Sequence, residues 1–170
     1  MIPLRNLSKH FAAPAEEFTD KLKKDVTDLV HALKKAGGRP YIVGGAVRDK
    51  LIGVEPKDYD LEVFQLTEAQ LVQFIKDYTG KEAERVGDNF PVYLIKGMEV
   101  ALPRSERKVG EGYKGFETTV DPNMSTLEAS KRRDLTINSL MMDWDTKKII
   151  DHHGGVNDIR EGKIRHVNEE

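Results

Sequence analysis

The sequence predicts one domain of the mixed α/β (α+β) class. Near the N-terminus, apolar residues recur at three- and four-residue steps, which is typical of an amphipathic helix. Further along, short apolar runs bounded by glycine or proline indicate strands, and capped helical segments lie between them. We find no internal repeat or linker, so the 170 residues are expected to share one hydrophobic core.

The N-terminal segment is predicted to be a loosely ordered lead-in over residues 1–13, followed by a helix. The helix begins at Pro14, which suits a first helical turn, and ends at the Gly37 and Gly38 pair. Its apolar face comprises Phe18, Leu22, Val26, Leu29, Val30 and Leu33. We therefore divide the chain into an N-terminal extension and helix, residues 1–37, and a main domain, residues 38–170.

The main domain is predicted to contain both strands and helices. Strands are expected over residues 41–43, 59–64, 91–96, 98–102, 140–144 and 148–150. Helices are expected over residues 46–52, from Thr67 to Gly80, and from Ser125 into the stretch KRRDLTINSL. The last two begin with capping pairs, Thr67 with Gln70 and Ser125 with Glu128. Residues 104–116 are polar and contain several glycines, so we expect a loop there.

The composition excludes several classes of protein. No apolar run approaches the length of a membrane span, and the N-terminus lacks the hydrophobic core of a signal peptide. The absence of cysteine excludes disulfides and thiolate metal sites, and we expect a cytoplasmic protein. Because the formal net charge is −2, a polyanion would have to be bound by a local basic patch.

Two aspartates mark the start of the strand at residues 59–64. Asp58 and Asp60 are two residues apart, so their side chains point to the same face of the strand. Converging carboxylates repel one another unless a cation lies between them, and oxygen ligands of this kind suit Mg²⁺. The alternative is a pair of solvated acids after a turn, which is a common surface feature.

A glycine pair and an arginine precede these aspartates. Gly44 and Gly45 lie between a predicted strand and a short helix, where free N–H groups can bind phosphate. Arg48, one turn into the helix, could bind the same anion through two donors. The pattern is neither a dinucleotide fingerprint nor a P-loop, and a tight turn without a ligand would also explain it.

Two further stretches carry candidate site residues. Glu99 alternates with core-facing neighbours in its strand, and could add a third carboxylate or simply be exposed. In KRRDLTIN, Arg132 and Arg133 are expected to point in different directions from a helix end, one to a triphosphate and one to a structural ion pair. Asp134 and Asn138 could share a face there, or serve only in local hydrogen bonding. Together these groups supply what nucleotidyl transfer from a triphosphate requires.

Several motifs resemble one family and occur in its order. They are YIVGGAVRDKLIG, KDYDLEVF, RVGDNFPVY, EVALPRSERKVGEGYKGF, KRRDLTINSL and IIDHHGGVNDI. Over residues 41–167 the chain resembles the N-terminal catalytic head of the bacterial tRNA nucleotidyltransferase/poly(A) polymerase family, the class II CCA-adding enzymes. The resemblance implies a polymerase-β-like nucleotidyltransferase fold, with a small mixed sheet flanked by helices.

The resemblance also implies roles for individual residues. The implied catalytic residues are Asp58, Asp60 and Glu99, with catalytic Mg²⁺ held by Asp58 and Asp60. The implied nucleotide-binding residues are Gly44, Gly45, Arg48, Arg133, Asp134 and Asn138. The implied reaction transfers CMP or AMP from CTP or ATP to an RNA 3′-hydroxyl, at the CCA end of tRNA, by two-magnesium in-line phosphoryl transfer. No membrane partner is implied.

The family's base-selecting neck segment would begin where this chain ends, at IRHVNEE, and the tRNA-binding body and tail would come after it. We therefore expect a separate chain or a further C-terminal region to supply base selection and tRNA binding. Two other functions remain open on the motifs alone. One is a template-independent poly(A) polymerase activity, and the other is a nonenzymatic nucleotide- or RNA-binding module that retains the fold.

Overall fold

We describe a computed structural model of the chain, over residues 12–87, 89–108, 110 and 116–168. The helices are α1 (Ala12–Lys35), α2 (Gly45–Leu51), α3 (Glu68–Thr79), α4 (Thr126–Ser130) and α5 (Gly155–Glu161). The first strands are β1 (Arg39–Val43), β2 (Asp60–Phe64), β3 (Glu84–Val86), β4 (Val92–Ile95) and β5 (Met98–Ala101). The later strands are β6 (Arg104–Lys108), β7 (Phe116–Val120), β8 (Met141–Met142) and β9 (Ile149–Ile150). Across the described residues, no helix is both long enough and apolar enough to cross a membrane.

Seven of the described strands form one mixed sheet. Its order is β3-β4-β5-β2-β1-β8-β9. The β2–β5 pair is parallel, and the other neighbouring pairs are antiparallel. The prediction of a mixed sheet with helices is therefore confirmed. Because β2 lies between β1 and β5, the strand that begins at Asp60 is central, and residues at its start have neighbours on both sides.

The amphipathic helix α1 packs on the sheet as its apolar pattern predicts. Val26, Leu29 and Leu33 are fully buried in the same core as Ile42 of β1 and Leu61 of β2. Burial of such side chains is worth about 1.5–3 kcal/mol each. The helix begins two residues before the predicted Pro14. Residues 1–11 of the predicted lead-in lie outside the described residues, and the division at residue 37 stays a prediction.

Two local signals in the sequence have the expected structural consequences. At the start of α3, the Thr67 hydroxyl accepts from the Gln70 N–H and the Gln70 side chain accepts from the Thr67 N–H, which completes the capping box. Lys96 and Gly97 both adopt positive φ, 48° and 77°, between β4 and β5. That conformation suits a two-residue hairpin, in which the chain reverses and β5 pairs with β4. On its other side, β5 pairs with β2.

The prediction of a loop over residues 104–116 is wrong for most of that range. β6 pairs with β7 in an antiparallel ladder that runs from Arg104 opposite Val120 to Lys108 opposite Phe116. The residues of β6 are all polar, so it lacks the apolar alternation by which a strand is predicted from sequence. Its register is fixed by backbone pairing in a separate two-stranded sheet. Residues 109 and 111–115 lie outside the described part of the chain.

The helix predicted from Ser125 into KRRDLTINSL is also shorter than expected. The Ser125 hydroxyl accepts from the Glu128 N–H as predicted, but α4 ends at Ser130. After the two arginines, only residues Thr136–Asn138 form a turn of 3-10 helix. The two arginine side chains that follow α4 contact Glu62, a buried carboxylate of β2.

Besides β6 and β7, two elements, β3 and α5, were not predicted. β3 has three residues, too few to show a period, and it pairs with the edge of β4. At the start of α5, the Asp151 carboxylate accepts from the N–H groups of Gly155 and Val156. An aspartate ahead of a glycine pair is a helix-start signal that the sequence does contain.

Candidate active site

The predicted acidic residues meet at the start of β2. Asp58 is exposed in the turn before the strand, and Asp60 is partly buried as its first residue. Across the parallel pair, Asp60 is in register with the exposed Glu99 of β5. Neighbouring strands lie about 4.8 Å apart, so these two carboxylates extend from adjacent positions. The structure therefore places Glu99 beside Asp60, as expected.

The environment of Asp60 favours its protonated form. Burial raises the pKa of Asp60 to about 6, with repulsion from Glu99 and Asp58 adding to the effect and attraction to Arg133 opposing it. Within the described ranges, no three or more His, Cys, Asp or Glu side chains are grouped so as to hold a metal ion. Asp58, Asp60 and Glu99 therefore do not form a closed set of metal ligands, and metal binding by Asp58 and Asp60 stays a prediction.

The glycine turn emerges next to Asp60. β1 ends at Val43, which is in register with Asp60 on the other side of β2. Gly44 follows with φ 73° and ψ −144°, a backbone conformation that is strained for residues with a side chain. Gly45 then begins α2, and a Cβ at Gly45 would lie 3.1 Å from Nη2 of Arg48. The glycine pair therefore makes the sharp turn and leaves space for the guanidinium.

Arg48 is fixed by two partners. Its Nη1 donates to Oδ1 of Asn138 at 2.9 Å, and its Nε and Nη2 donate to Oδ1 of Asp49 at 3.1 Å. The structure thus brings together Arg48 and Asn138, which are 90 residues apart in the chain. Asn138 belongs to the 3-10 turn, so that turn sets the position of its amide.

Asp134 is not brought into these contacts. It is exposed, and its backbone carbonyl accepts from the Val167 N–H at 2.9 Å. Because the segment is not a continuous helix, Asp134 and Asn138 do not share a helix face as predicted. A role for the Asp134 carboxylate in a nucleotide pocket stays a prediction.

A buried glutamate on β2 joins the two arginines of KRRDLTIN. The Glu62 side chain is 2% exposed, and its Oε2 accepts from Nη2 of Arg132 at 2.8 Å and from Nη2 of Arg133 at 3.5 Å. The side chain of Arg132 is 9% exposed and that of Arg133 is 24% exposed. Arg132 is therefore the structural ion pair, and Arg133 is the more accessible cation.

Glu62 was missed by sequence reasoning, although a signal was present. It lies two residues after Asp60, and alternation along β2 places both side chains on the same face. An acid at an otherwise apolar strand position requires a buried cation, and the nearby arginine pair was the obvious candidate. Arg104, at the start of β6, was also missed.

Positive charge is in excess around Glu62. Burial lowers the pKa of Arg133 to about 10, and repulsion from Arg132 and Arg104 adds to the effect. Burial likewise lowers the pKa of Arg104, with Arg132 contributing. All three guanidiniums remain charged at neutral pH. Among the residues that the structure describes, Glu62 acts on all three, by contact with Arg132 and Arg133 and by its charge on Arg104, while Glu106 pairs with Arg104 at 3.2 Å. Such a cluster is suited to binding an anion.

Comparison with known proteins finds one matching family model. Residues 40–165 match the model described as the poly A polymerase head domain. That match covers well over half of the chain, and it includes all the acidic, glycine and arginine residues of the candidate site.

Similar full-length proteins carry related names. A "multifunctional CCA protein" of Stenotrophomonas maltophilia is 43% identical over 129 residues, covering 75% of this chain and 30% of that protein. A "CCA-adding enzyme" of Marinobacter nauticus is 41% identical over 131 residues, covering 76% of this chain and 33% of that protein. The chain thus spans about a third of the length of these relatives.

Solved structures are similar in fold. The Bacillus stearothermophilus CCA-adding enzyme in complex with CTP superposes with a TM-score of 0.65 at 27% identity, over 86% of this chain and 33% of that one. Another CCA-adding enzyme in complex with CTP has a TM-score of 0.57 at 27% identity, over 81% of this chain and 31% of that one.

Proposed function

The chain belongs to the poly(A) polymerase head domain family, and on that basis we propose that it catalyses nucleotidyl transfer at the 3′ end of tRNA. Its fold is the polymerase-β-like nucleotidyltransferase fold of the CCA-adding enzymes, as predicted. In the proposed reaction, CMP or AMP passes from CTP or ATP to the 3′-hydroxyl of the RNA. The activities named for the relatives support this proposal.

One observation carries the proposal. Asp60 is flanked in the sheet by Val43, from which the glycine turn leads to Arg48, and by Glu99. Arg133 is close enough to lower the pKa of Asp60 by its charge. Acids that can hold a cation and donors that can hold phosphates therefore meet at one end of β2. Nucleotidyl transfer needs these two groups side by side.

The donor set fits Mg²⁺. The raised pKa of Asp60 means that its negative charge is poorly compensated, and a divalent cation would compensate it. Magnesium sites of this kind use one or two carboxylates together with substrate phosphates, so an open acidic cluster is sufficient. We propose Asp58 and Asp60 as the ligands and Glu99 as the third acidic residue. When bound, Mg²⁺ would offset the negative charge of the triphosphate and lower the pKa of the acceptor hydroxyl.

The remaining residues would hold the nucleotide. We propose that the N–H groups of the Gly44 and Gly45 turn bind a phosphate together with Arg48, which is held by Asn138. Arg133 would bind the triphosphate from the other side through donors that Glu62 leaves free. The chain would contribute orientation and charge rather than a covalent intermediate.

Choice of the base and binding of the tRNA would require more than this head. Because the matched region covers only about a third of each relative, we propose that a further C-terminal region or a separate chain supplies both. We place the activity in the cytoplasm, in keeping with a chain that has no cysteine.

The function is tested with a tRNA that lacks its 3′ CCA, Mg²⁺ and radiolabelled CTP or ATP. We expect label to be incorporated by the wild type and lost in the double variant Asp58→Ala, Asp60→Ala. Glu161→Ala, an exposed acid at the end of α5, is the matched control. If the head alone transfers nothing, equilibrium binding of CTP in Mg²⁺ decides, and no binding by the wild type would contradict the proposal. Long adenylate tails in place of a finished CCA end would identify the poly(A) activity instead.

A further inference from the structure

Glu62 lies between the structural arginine and the accessible arginine of the site. Its carboxylate accepts from both through a single oxygen, at 2.8 Å from Arg132 and at 3.5 Å from Arg133. Resting on the proposed function, we propose that Glu62 is a positioning residue that orients Arg133 toward the triphosphate and keeps it away from Asp60.

The geometry of β2 places Glu62 close to Asp60. Glu62 is in register with Tyr41 of β1 and Ala101 of β5, two positions further along the strand than Asp60. Two residues of a strand span about 6.6 Å, so the two carboxylates extend from the same face at that spacing. A guanidinium in contact with Glu62 is therefore within reach of Asp60. Which of the two carboxylates pairs with Arg133 decides whether Asp60 is available for a cation.

The two arginines differ in how they meet Glu62. Arg132 makes the shorter contact and is the more buried, so it satisfies Glu62 as a structural partner. Arg133 makes the longer contact, keeps 24% of its side-chain surface exposed, and uses one of its five N–H donors on Glu62. The negative charge on Glu62 sets the direction of the Arg133 side chain. The other N–H donors of Arg133, which make no hydrogen bond to the described residues, can bind phosphate oxygens.

Loss of the charge on Glu62 would release Arg133 toward Asp60. With glutamine at position 62, shape and one acceptor are kept, but the attraction for Arg133 falls. The other carboxylate whose charge acts on this guanidinium is that of Asp60, the proposed metal ligand. Pairing of Arg133 with Asp60 would remove a donor from the triphosphate and a ligand from Mg²⁺ together.

The test measures the dissociation constant of CTP in saturating Mg²⁺ by calorimetry. We expect Glu62→Gln to weaken binding roughly tenfold, equivalent to one charge-assisted contact. In an Arg133→Ala background the same change should add less than about twofold, because Glu62 acts through Arg133. Glu82→Gln is the matched control, since it removes the exposed carboxylate partner of Lys76 and lies outside the cluster of Arg104, Arg132 and Arg133. We expect it to leave CTP affinity unchanged.

Two results would overturn the inference while leaving the proposed function intact. One is wild-type affinity in Glu62→Gln. The other is an equal loss in the wild-type and Arg133→Ala backgrounds, which would mean that Glu62 acts through the fold. If Glu62→Gln melts below the assay temperature, Glu62→Asp keeps the buried charge but withdraws it by one methylene, and the same comparison decides. Failure of the wild type to bind CTP contradicts the proposed function and, with it, the inference.

Discussion

At the scale of single residues, Arg132 and Arg133 are adjacent in the chain but occupy different surroundings. Arg132 is enclosed with Glu62, whereas Arg133 keeps more of its side chain exposed and lies within the influence of the charge on Asp60. The two should therefore respond to substitution in different ways, one through stability and the other through ligand binding.

We predict that Arg133→Ala weakens triphosphate binding by about 10–100-fold, the range of a lost contact to a charged group. Arg132→Ala should instead lower the free energy of unfolding by about 3–5 kcal/mol, because it leaves Glu62 buried with a longer and weaker partner. Titration with CTP and urea unfolding of each variant separate the two effects. Equal losses of affinity in both variants would contradict this assignment.

The two glycines of the turn should also differ. Gly44 has positive φ, so Gly44→Ala should cost about 1–3 kcal/mol of stability through backbone strain. A Cβ at Gly45 would meet the movable end of Arg48 at 3.1 Å, so Gly45→Ala should displace that guanidinium and weaken CTP binding. Unfolding curves and CTP titrations of both variants provide the check. A Gly45→Ala protein with wild-type affinity would show that Arg48 does not bind the triphosphate.

At the scale of elements, α5 supports the 3-10 turn that carries Asn138. Asp158 of α5 is buried and accepts from the Thr136 hydroxyl and from Nε of Arg165. The network joins α5 to the first residue of the turn. Since Asn138 holds Arg48, α5 is linked to the site by two hydrogen bonds, one from Thr136 to Asp158 and one from Arg48 to Asn138.

We predict that Asp158→Asn loosens this turn. The Asn138 and Ser139 amides, which donate to Leu135 and Thr136, should exchange with deuterium faster than in the wild type. The melting temperature should also fall, because the charged partner of Arg165 is lost. Glu161→Gln, an exposed acid of the same helix, is the control for general effects of charge. Unchanged exchange in Asp158→Asn would show that α5 does not support the turn.

The elements that were predicted correctly are those with local causes. The capping box of α3 and the apolar stripe of α1 each depend on residues close in the chain. β6 was missed because it is polar and is defined by its distant partner β7. The helix after Ser125 was overextended because its cap marks only where it begins, and no glycine or proline in KRRDLTINSL marks the end at Ser130.

At the scale of the whole molecule, the sheet order joins parts of the site that are distant in the chain. Parallel pairing of β5 with β2 brings Glu99 beside Asp60, and β1 brings the glycine turn to the other side. The site residues were predicted from motifs, but their adjacency results from β2 being the central strand. The buried glutamate could be suspected from its position in an apolar strand, but its pairing with both arginines depends on how the chain folds around β2.

Burial on the central strand β2 also raises the pKa of Asp60, which leads to a prediction about pH. A carboxyl whose pKa rises from 3.8 to about 6 on folding binds more protons in the native state than in the unfolded state. Between about pH 4 and pH 6 this group should therefore lower the free energy of unfolding as the pH rises. Mg²⁺ at Asp58 and Asp60 would favour the ionised form and should release a proton on binding near pH 6.

Urea unfolding of the metal-free protein across this pH range, compared with Asp60→Asn, isolates the contribution. The comparison with Asp60→Asn is needed because three other aspartates also change stability in this pH range. Asp143, Asp145 and Asp158 have lowered pKa values, so their contributions to stability are lost as the pH falls. Calorimetry of Mg²⁺ binding with CTP at pH 6, in buffers of different ionisation enthalpy, measures the released proton. Identical pH profiles for the wild type and Asp60→Asn would show that Asp60 ionises normally. Burial and the nearby Glu99 and Asp58 would then not destabilise the ionised form of Asp60, and a bound cation would have no such effect to offset.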